Sequence, residues 1–363
     1  DATGGLVGSE MCIRDRPRGV VMGSSTCFPV AMARGAAFDI DLEERIGDAI
    51  GKEARAQGAN FFGGVCINVL RHPAWGRAQE TYGEDPYHLG EMGMALVRGV
   101  QRHIMACAKH YACNSIENSR FRVNVQVDER TLHEIYLPHF KRCIDEGVAS
   151  VMSAHNKVNG TYCGHNRNLL REILKQQWNF DGFVISDFSW GLRDAKEAIL
   201  GGMDIEMPFQ HHYHKHLAKL VESGEVEETL LDDAVTRILR QKLRFAQIGE
   251  TARYTAATVV SDEHRALARE AAQKSIVLLK NEPVPNSETP LLPLDPRKKQ
   301  QIAVIGRFSR RDNLGDHGSS RVRPPDHTTI FDGILQAAGP EVAIYDVKGK
   351  NINEAKRVAE TVD

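Results

Sequence analysis

The chain has 363 residues, of which 42% are hydrophobic and 26% are charged, as is typical of a globular protein with room for two domains. Its formal net charge is -2 and it has no basic or acidic block, so binding to nucleic acid or to an anionic membrane has no electrostatic support. No apolar run approaches the roughly 18 residues that a membrane-spanning helix needs.

The cysteines predict buried, reduced thiols. Their number is odd, their spacing is irregular and no Cys-x-x-Cys pair occurs, which argues against a disulfide framework or a zinc cluster. Free thiols favour a reducing compartment, so the composition favours a cytoplasmic protein. The cysteines are Cys12, Cys27, Cys66, Cys107, Cys113, Cys143 and Cys163.

The first 16 residues do not fit the pattern of the rest of the chain. They show no hydrophobic period and run abruptly into Pro17-Arg18-Gly19-Val20. We interpret residues 1–16 as a non-native or disordered segment and leave them out of the fold prediction.

Residues 17–248 alternate between strand-like and helix-like stretches. The strand candidates are short, apolar and largely free of polar alternation, as expected for strands that are buried on both faces. The repeated order of strand and helix predicts a parallel sheet, either open or closed into a barrel. The candidates are residues 60–70, 105–112, 149–156, 182–188 and 202–207.

Two of the predicted helices have specific boundaries. Asp41-Leu42-Glu43-Glu44 resembles a capping box, and Gly58 supplies a stop for the helix that follows it. Another helix is predicted to follow Asp128 and to end at Gly147. We expect a kink or break in it at Pro138, because proline has no backbone N–H to donate.

Polar residues cluster where the strand candidates end. Lys109 and His110, then His155, then Asp187 follow three successive candidates. In a (β/α)8 barrel the carboxyl ends of the strands share one face, which holds the active site, whereas an open doubly wound sheet gathers them at one edge. The number of strands favours the barrel, so residues 17–248 are predicted to form a TIM-like barrel that is incomplete at its N-terminal end.

The composition changes after residue 248. Prolines cluster with Asn, Ser and Asp between residues 283 and 296, so residues 249–300 are predicted to be a linker with a connecting helix. The run Gln301-Ile302-Ala303-Val304-Ile305-Gly306 predicts a buried strand that begins a second α/β domain, which the chain holds only in part as residues 301–363. The residues expected on one face of the connecting helix are Ala268, Ala272, Ile276 and Leu279.

A set of short motifs occurs in order along residues 17–363. They are Arg71-His72-Pro73-Ala74-Trp75-Gly76-Arg77, Glu80-Thr81-Tyr82-Gly83-Glu84-Asp85-Pro86, Ala108-Lys109-His110-Tyr111, Val127-Asp128-Glu129-Arg130-Thr131-Leu132, Ser153-Ala154-His155-Asn156, Gly182-Phe183-Val184-Ile185-Ser186-Asp187-Phe188, residues 201–208 and Gly318-Ser319-Ser320-Arg321-Val322. Any one motif is weak evidence, but the ordered set resembles glycoside hydrolase family 3.

This resemblance implies a (β/α)8 barrel followed by an α/β sandwich, both of which line one sugar pocket. It also implies a retaining, exo-acting β-glycosidase that acts on a small-molecule β-glycoside. No cofactor is predicted. In such enzymes one carboxylate attacks the anomeric carbon and forms a glycosyl-enzyme, while another protonates the leaving oxygen and later activates water. A β-glucosidase is favoured, and a β-xylosidase is the alternative within the family.

The resemblance implies that Asp187 is the nucleophile. Position alone leaves open whether Asp187 instead caps a helix that begins near Gly191. An unpaired charge at the end of an apolar strand is costly, and cations such as Arg77 and Lys109 would keep the carboxylate ionised.

The same resemblance implies that Arg77, Lys109 and His110 hold sugar hydroxyls. Lys109 and His110 would be a solvated pair in most proteins, but here they end a buried strand. The alternative for Arg77 is a structural salt bridge, to Glu84 or Asp85.

Two positions depart from the family's usual residues and bear on specificity. His155, which the resemblance places against the nucleophile, is usually Tyr, and it adds a group that titrates near neutral pH. Phe188 is usually Trp and would still offer a wall to a sugar face.

At the start of the barrel, Asp15-Arg16-Pro17-Arg18-Gly19 departs from the family pattern, so no role is carried over to Asp15. Ala112-Cys113-Asn114 disfavours the β-N-acetylglucosaminidase branch.

Three other features have simpler explanations. We expect Glu206 to be a structural residue, although a second carboxylate about 5–5.5 Å from the nucleophile would suit a retaining enzyme. Ile305-Gly306 lacks the glycine pattern of a dinucleotide site. The histidines His211, His212, His214 and His216 lack companions at metal-ligand spacing, so no metal site is predicted.

The family resemblance also implies that the chain is a fragment of a longer enzyme. In the family the acid/base glutamate comes from the second domain, beyond the part that matches here. We therefore expect that glutamate downstream of Asp363, and we expect the isolated chain to have little activity and to expose an apolar surface. A sugar-binding but catalytically inactive fragment is the alternative from another functional class.

Overall fold

The computed structural model describes residues 15–16, 19–20, 23–249, 254–283, 288–314, 322–349 and 351–362. Two compact units are present. The first comprises Asp1–Ile276 with His317–Arg323, and the second comprises Val277–Asp316 with Pro324–Asp363. The predicted segment of residues 1–16 and the loop Gly318-Ser319-Ser320-Arg321 lie largely outside the described residues.

The first unit contains a parallel sheet whose strands are paired in chain order. Its four strands are Phe61–Cys66, Met105–Tyr111, Ser150–Ser153 and Phe183–Ile185, and a parallel bridge joins Ile185 to Ile205. Each strand pairs with the next along the chain, so the order never reverses as it does in a doubly wound sheet. This is the order of a barrel, and four of the five predicted strands are confirmed. The candidate at residues 202–207 makes only the bridge.

Both faces of this sheet are buried. Along the second strand, Met105 and Cys107 join the apolar cluster on one face, whereas Ala106 and Ala108 join the larger cluster on the other. The absence of polar alternation in the sequence follows from this double burial.

Helices surround and connect the strands of the first unit. The longer ones are Ile40–Ala56, Pro86–Val100, Pro138–Asp145, Ala195–Gly201, Tyr213–Glu222, Glu228–Ala246 and Asp262–Lys274, with a π-helical segment at Asn168–Gln177. The shorter turns are Ala31–Ala36, Ala78–Glu80, Glu129–Thr131, Leu132–Tyr136, Cys163–His165 and Ala256–Thr258.

Two helix predictions are confirmed in part. The predicted break lies at Leu137, between the π-helical turn Leu132–Tyr136 and the helix that begins at Pro138. The first long helix is capped by Asp39, whose side chain accepts a hydrogen bond from the backbone N–H of Leu42. The prediction that Asp41 is the cap is therefore wrong, because the helix already begins at Ile40.

The connecting helix ends earlier than its apolar pattern predicted. It ends at Lys274, and the predicted face through Ile276 and Leu279 does not form, since both residues lie beyond the helix and are 78% and 92% exposed. Leu267 and Ala271 pack into the core instead. Because Ile276 and Leu279 follow the last turn, no helical face can carry them inward.

A buried ion pair fixes the strand that leads to Asp187. Lys175 Nζ lies 2.6 Å from Asp204 Oδ1, and Asp204 Oδ2 accepts a hydrogen bond of 2.7 Å from the N–H of Val184. This pair ties a π-helical segment to the strand Phe183–Ile185 and to the segment that bridges it at Ile205. Replacing one member of such a pair leaves an uncompensated buried charge.

The second unit has a small parallel sheet. Gln300–Ile305 pairs with Val342–Val347, and the helices Ile330–Ala337 and Ile352–Ala359 accompany them. The predicted strand is therefore confirmed, but its predicted burial is wrong: its residues are partly buried and Ile305 is 44% exposed, because it pairs with a single strand among the described residues.

The described cysteines are free thiols. Five of the six are buried, and the sixth, Cys27, is partly buried. Among the described helices, none combines the length and the apolar character needed to cross a membrane.

Candidate active site

Asp187 lies two residues beyond the strand Phe183–Ile185, and it is buried. Its Oδ1 accepts a hydrogen bond of 2.7 Å from the N–H of Phe188. Its Oδ2 is 3.2 Å from His155 Nε2 and 3.9 Å from His110 Nε2, yet it has no hydrogen-bond partner within the described part of the chain. The carboxylate thus has one fixed oxygen and one oxygen without a donor.

The turn after Asp187 requires glycine. The N–H of Gly191 donates to the carbonyl oxygen of Asp187 at 3.1 Å. A Cβ at position 191 would lie only 2.4 Å from that oxygen. Gly191 therefore lets the chain fold back closely against the residue that carries the carboxylate.

The protonation state of His110 follows from its partners. Arg77 Nη1 lies 2.9 Å from His110 Nε2, and because guanidinium only donates, Nε2 accepts. The proton therefore sits on Nδ1, which is 3.2 Å from Asn68 Oδ1. Burial, together with the charges of Arg77 and Lys109, holds the pKa of His110 well below its usual value. His110 is a neutral imidazole at physiological pH.

Asn68 holds the backbone of His110 on both sides. Its Oδ1 accepts from the N–H of His110 at 2.9 Å, and its Nδ2 donates to the carbonyl oxygen of His110 at 2.8 Å. Asn68 was not predicted as a site residue. Its position just beyond the strand Phe61–Cys66 is the signal that could have found it.

Arg77 forms a buried salt bridge, but not with either predicted partner. Its Nε and Nη2 donate to the two carboxylate oxygens of Glu80 at 2.9 and 2.7 Å. The prediction that such a salt bridge would be to Glu84 or Asp85 is wrong. The turn Ala78–Glu80 brings residues three apart onto one side, whereas Asp85 caps the next helix by accepting from the N–H of Tyr87.

Lys109 is a buried lysine that has no carboxylate within 4 Å among the described residues. Its side chain makes no ion pair within 4 Å in the described residues, and the residue is only 6% exposed, so water cannot fully solvate the amino group. Burial, followed by the neighbouring charge of Arg77, lowers the pKa of Lys109. An ammonium in this state gains from any polar ligand that accepts its protons.

His155 connects Asp187 to an aromatic side chain. It is buried, its Nδ1 has no partner within the described residues, and its ring meets Phe121 edge to face with 4.8 Å between centroids. Burial lowers the pKa of His155, and although Asp187 acts in the opposite direction, the cations Arg120, Arg77 and Arg193 add to the lowering. Arg120, which pairs with Glu117 at 2.9 Å, was also missed by the sequence prediction.

Phe188 is half-buried. It packs against the apolar cluster formed by Phe61, Met105, Phe183 and their neighbours. Its backbone N–H, rather than its ring, makes the contact with Asp187.

Glu206 has a structural role, as predicted. Its carboxylate accepts hydrogen bonds from the N–H groups of His211, His212 and Tyr213 at 2.8 to 3.1 Å. It therefore stabilises the start of the helix Tyr213–Glu222, where unpaired N–H groups favour an anion. Among the described residues, no cluster of three or more His, Cys, Asp or Glu side chains could hold a metal ion.

A carboxylate, two histidines and buried cations lie together near the carboxyl ends of successive parallel strands, which is the face where barrel enzymes carry their active sites. The chain belongs to glycosyl hydrolase family 3: the model of the family's N-terminal domain matches residues 11–241, and that of its C-terminal domain matches residues 276–363. The fold class is thus a (β/α)8 barrel followed by an α/β sandwich, as predicted.

Similar proteins are β-glucosidases by name. The chain is 38% identical to thermostable beta-glucosidase B of Acetivibrio thermocellus over 93% of its own length and 45% of that protein's. It is 36% identical to beta-glucosidase BoGH3A of Bacteroides ovatus, covering 88% and 44% of the two chains. The structure of beta-glucosidase 3B from Thermotoga neapolitana with alpha-D-glucose matches with a TM-score of 0.82 and 29% identity, over 96% of this chain and 48% of the other. The chain therefore spans a little under half the length of these relatives.

Proposed function

We propose that the protein containing this chain is a retaining, exo-acting β-glucosidase in which Asp187 is the nucleophile. The observation that carries the proposal is the buried Asp187 carboxylate, whose Oδ2 has no hydrogen-bond partner in the described residues. A carboxylate oxygen that accepts no hydrogen bond has its lone pairs available to attack an anomeric carbon. The names of the similar proteins support glucose as the sugar.

In the proposed first step, Asp187 Oδ2 attacks the anomeric carbon while the leaving oxygen takes a proton from a second carboxyl group. The N–H of Phe188 holds Oδ1 at 2.7 Å and so orients the attacking oxygen. Because His110 is neutral and accepts at Nε2, it does not protonate the nucleophile. The second step is the attack of water on the glycosyl-enzyme, with the second carboxyl group acting as base.

The proposed sugar contacts follow from the donors and acceptors that remain unused. Lys109 has three N–H donors and no carboxylate partner in the described residues, so we assign it to sugar hydroxyls. Arg77 gives two donors to Glu80 and one to His110, so only its remaining N–H groups can contact the sugar. His155 would contact the sugar beside the nucleophile, and Phe188 would form an apolar wall.

The second carboxyl group is not assigned within this chain. Glu80 is bonded to Arg77 and Glu206 caps a helix, so neither is placed to protonate a leaving group. We propose that the acid/base glutamate lies downstream of Asp363.

The domain bounds are proposed as residues 17–248 for the barrel, 249–300 for the linker and connecting helix, and 301–363 for the partial sandwich.

The test uses the intact gene product that contains this chain. We expect Asp187→Ala to reduce turnover of an aryl β-glucoside by at least about a thousandfold, because the covalent route is lost, without loss of the thermal unfolding transition. A fluorinated glucoside that traps the intermediate should label Asp187, and its peptide is identified by mass spectrometry.

Glu206→Gln serves as the matched control, because it removes a carboxylate that caps a helix. That variant should lose stability but keep turnover, and azide should not change its rate. Near-normal turnover in Asp187→Ala would refute the proposed nucleophile. Faster turnover of an aryl β-xyloside than of the β-glucoside would show that the enzyme is a β-xylosidase and not a β-glucosidase.

A further inference from the structure

An aromatic and cationic cluster borders the site. We call Phe121, Lys157, Tyr162 and Arg193 the rim cluster. They come from the segments that follow three successive barrel strands, and two of them lie on a small sheet formed by Asn124–Val125, Lys157–Val158 and Thr161–Tyr162. None of them is used in the mechanism above.

Phe121 is held in place beside the reaction centre. Its ring contacts His155, which in turn lies against Asp187. His155 therefore separates Phe121 from the nucleophile. Its carbonyl oxygen accepts hydrogen bonds from Arg193 Nη2 at 2.8 Å and from the hydroxyl of Tyr162 at 3.3 Å. Since Phe121 remains 37% exposed, it offers a fixed apolar surface to a ligand.

The two cations of the rim cluster lie against the ring of Tyr162. Arg193 Cζ lies 4.0 Å and Lys157 Nζ lies 4.7 Å from the centroid of the Tyr162 ring. Neither cation has a carboxylate within 4 Å in the described part of the chain, and the buried Nε of Arg193 has no acceptor there. The adjacent Asp194 instead caps the helix Ala195–Gly201 by accepting from the N–H of Glu197.

We propose that the rim cluster binds the leaving group and favours an aromatic leaving group that carries a carboxylate. The proposal rests on the proposed function, because it takes the sugar to lie against Asp187. A leaving group bound beyond the sugar would meet the ring of Phe121 and the charges of Lys157 and Arg193. Aromatic surface favours stacking, and two unpaired cations favour an anion.

A binding experiment tests the rim cluster without turnover. The affinity of the intact gene product for 4-hydroxybenzoate is compared with that for the neutral 4-hydroxybenzamide by ligand-observed NMR. We expect the acid to bind about two- to fivefold more tightly, as for one or two partly exposed ion pairs, and the difference to shrink as salt is added. Phe121→Ala should weaken both ligands alike.

Lys157→Met and Arg193→Met should each lower the affinity for 4-hydroxybenzoate toward the affinity for 4-hydroxybenzamide. Arg240→Met is the matched control, because Arg240 also donates to a backbone carbonyl, that of Asp181, which precedes the strand leading to Asp187. It should leave the preference intact. Equal binding of acid and amide, or a preference that survives both rim variants, would overturn the proposal.

A kinetic comparison separates this proposal from the proposed function. The kcat/KM values for 4-carboxyphenyl and 4-carbamoylphenyl β-glucosides should favour the carboxylate, and Lys157→Met should reduce that ratio about two- to fivefold. Failure to hydrolyse either glucoside, with the acid still bound preferentially, would contradict the glucosidase and not the rim cluster. Hydrolysis of both at equal kcat/KM would contradict the rim cluster alone.

Discussion

The charges around Asp187 are unequal. Glu80 neutralises Arg77, whereas Lys109 has no carboxylate partner in the described residues. A buried ammonium without a partner is unfavourable for folding, so its presence points to a ligand that completes it. This observation distinguishes Lys109 from Arg77, which has a structural role in orienting His110 whether or not it also contacts the sugar.

Lys109→Met should therefore separate function from stability. We expect kcat/KM for an aryl β-glucoside to fall about ten- to a hundredfold, because a charge-assisted hydrogen bond to the sugar is lost. We expect the melting temperature to stay the same or rise, since methionine fills a similar volume without the cost of burying a charge. A lower melting temperature together with unchanged kcat/KM would show that Lys109 is a structural residue.

At the scale of the elements, the strands were predicted better than the helix ends. Strands buried on both faces leave an uninterrupted apolar run in the sequence, and this run survives whatever packs against it. Helix ends depend on which of several possible caps is used. Asp39 and Asp41 are equally good caps by residue type, and the described structure uses Asp39, which also pairs with Lys274.

The helix Pro138–Asp145 carries a pH-sensitive contribution to stability. His139 is fully buried, its Nδ1 has no partner in the described residues, and burial lowers its pKa to about 3. The unfolded chain binds a proton at this site below about pH 6.5, whereas the folded chain does not until about pH 3. The stability contribution is therefore present above pH 6.5 and is lost as the pH falls.

His139→Gln should flatten this dependence. Between about pH 6.5 and pH 4.5 the free energy of unfolding of the unmodified protein should fall with a slope of up to about 1.4 kcal/mol per pH unit from this residue. The variant should lose that share of the slope, as measured by urea denaturation at several pH values. His165, whose pKa burial lowers to about 4, will still contribute to the remaining slope. An unchanged slope in the variant would mean that His139 does not titrate on unfolding.

At the scale of the whole molecule, the chain spans a little under half the length of its curated relatives. In the described residues an apolar run, Ile276, Val277, Leu278 and Leu279, is 58% to 92% exposed. Exposed apolar segments of this kind favour association with another surface. The prediction that the chain exposes apolar surface is consistent with this run.

We expect the isolated 363-residue chain to hydrolyse an aryl β-glucoside at least about a thousandfold more slowly than the intact gene product, because the two candidate carboxylates in the described residues, Glu80 and Glu206, are both bonded elsewhere. Both proteins are compared by kcat at equal concentration. Robust turnover by the isolated chain would require an acid within it, and Glu80 and Glu206 would then be the first residues to replace.

The sequence by itself indicated a parallel sheet and the family, and it predicted that Lys109, His110, His155 and Asp187 share one face, because these depend on local apolar runs and on ordered motifs. Only the tertiary structure showed that Arg77 pairs with Glu80, that Asn68 holds His110, and that Phe121 reaches His155. Two of these contacts join residues that follow different strands. The pair of Arg77 with Glu80 depends on the local turn Ala78–Glu80. Burial and distance, which no single segment encodes, decide them.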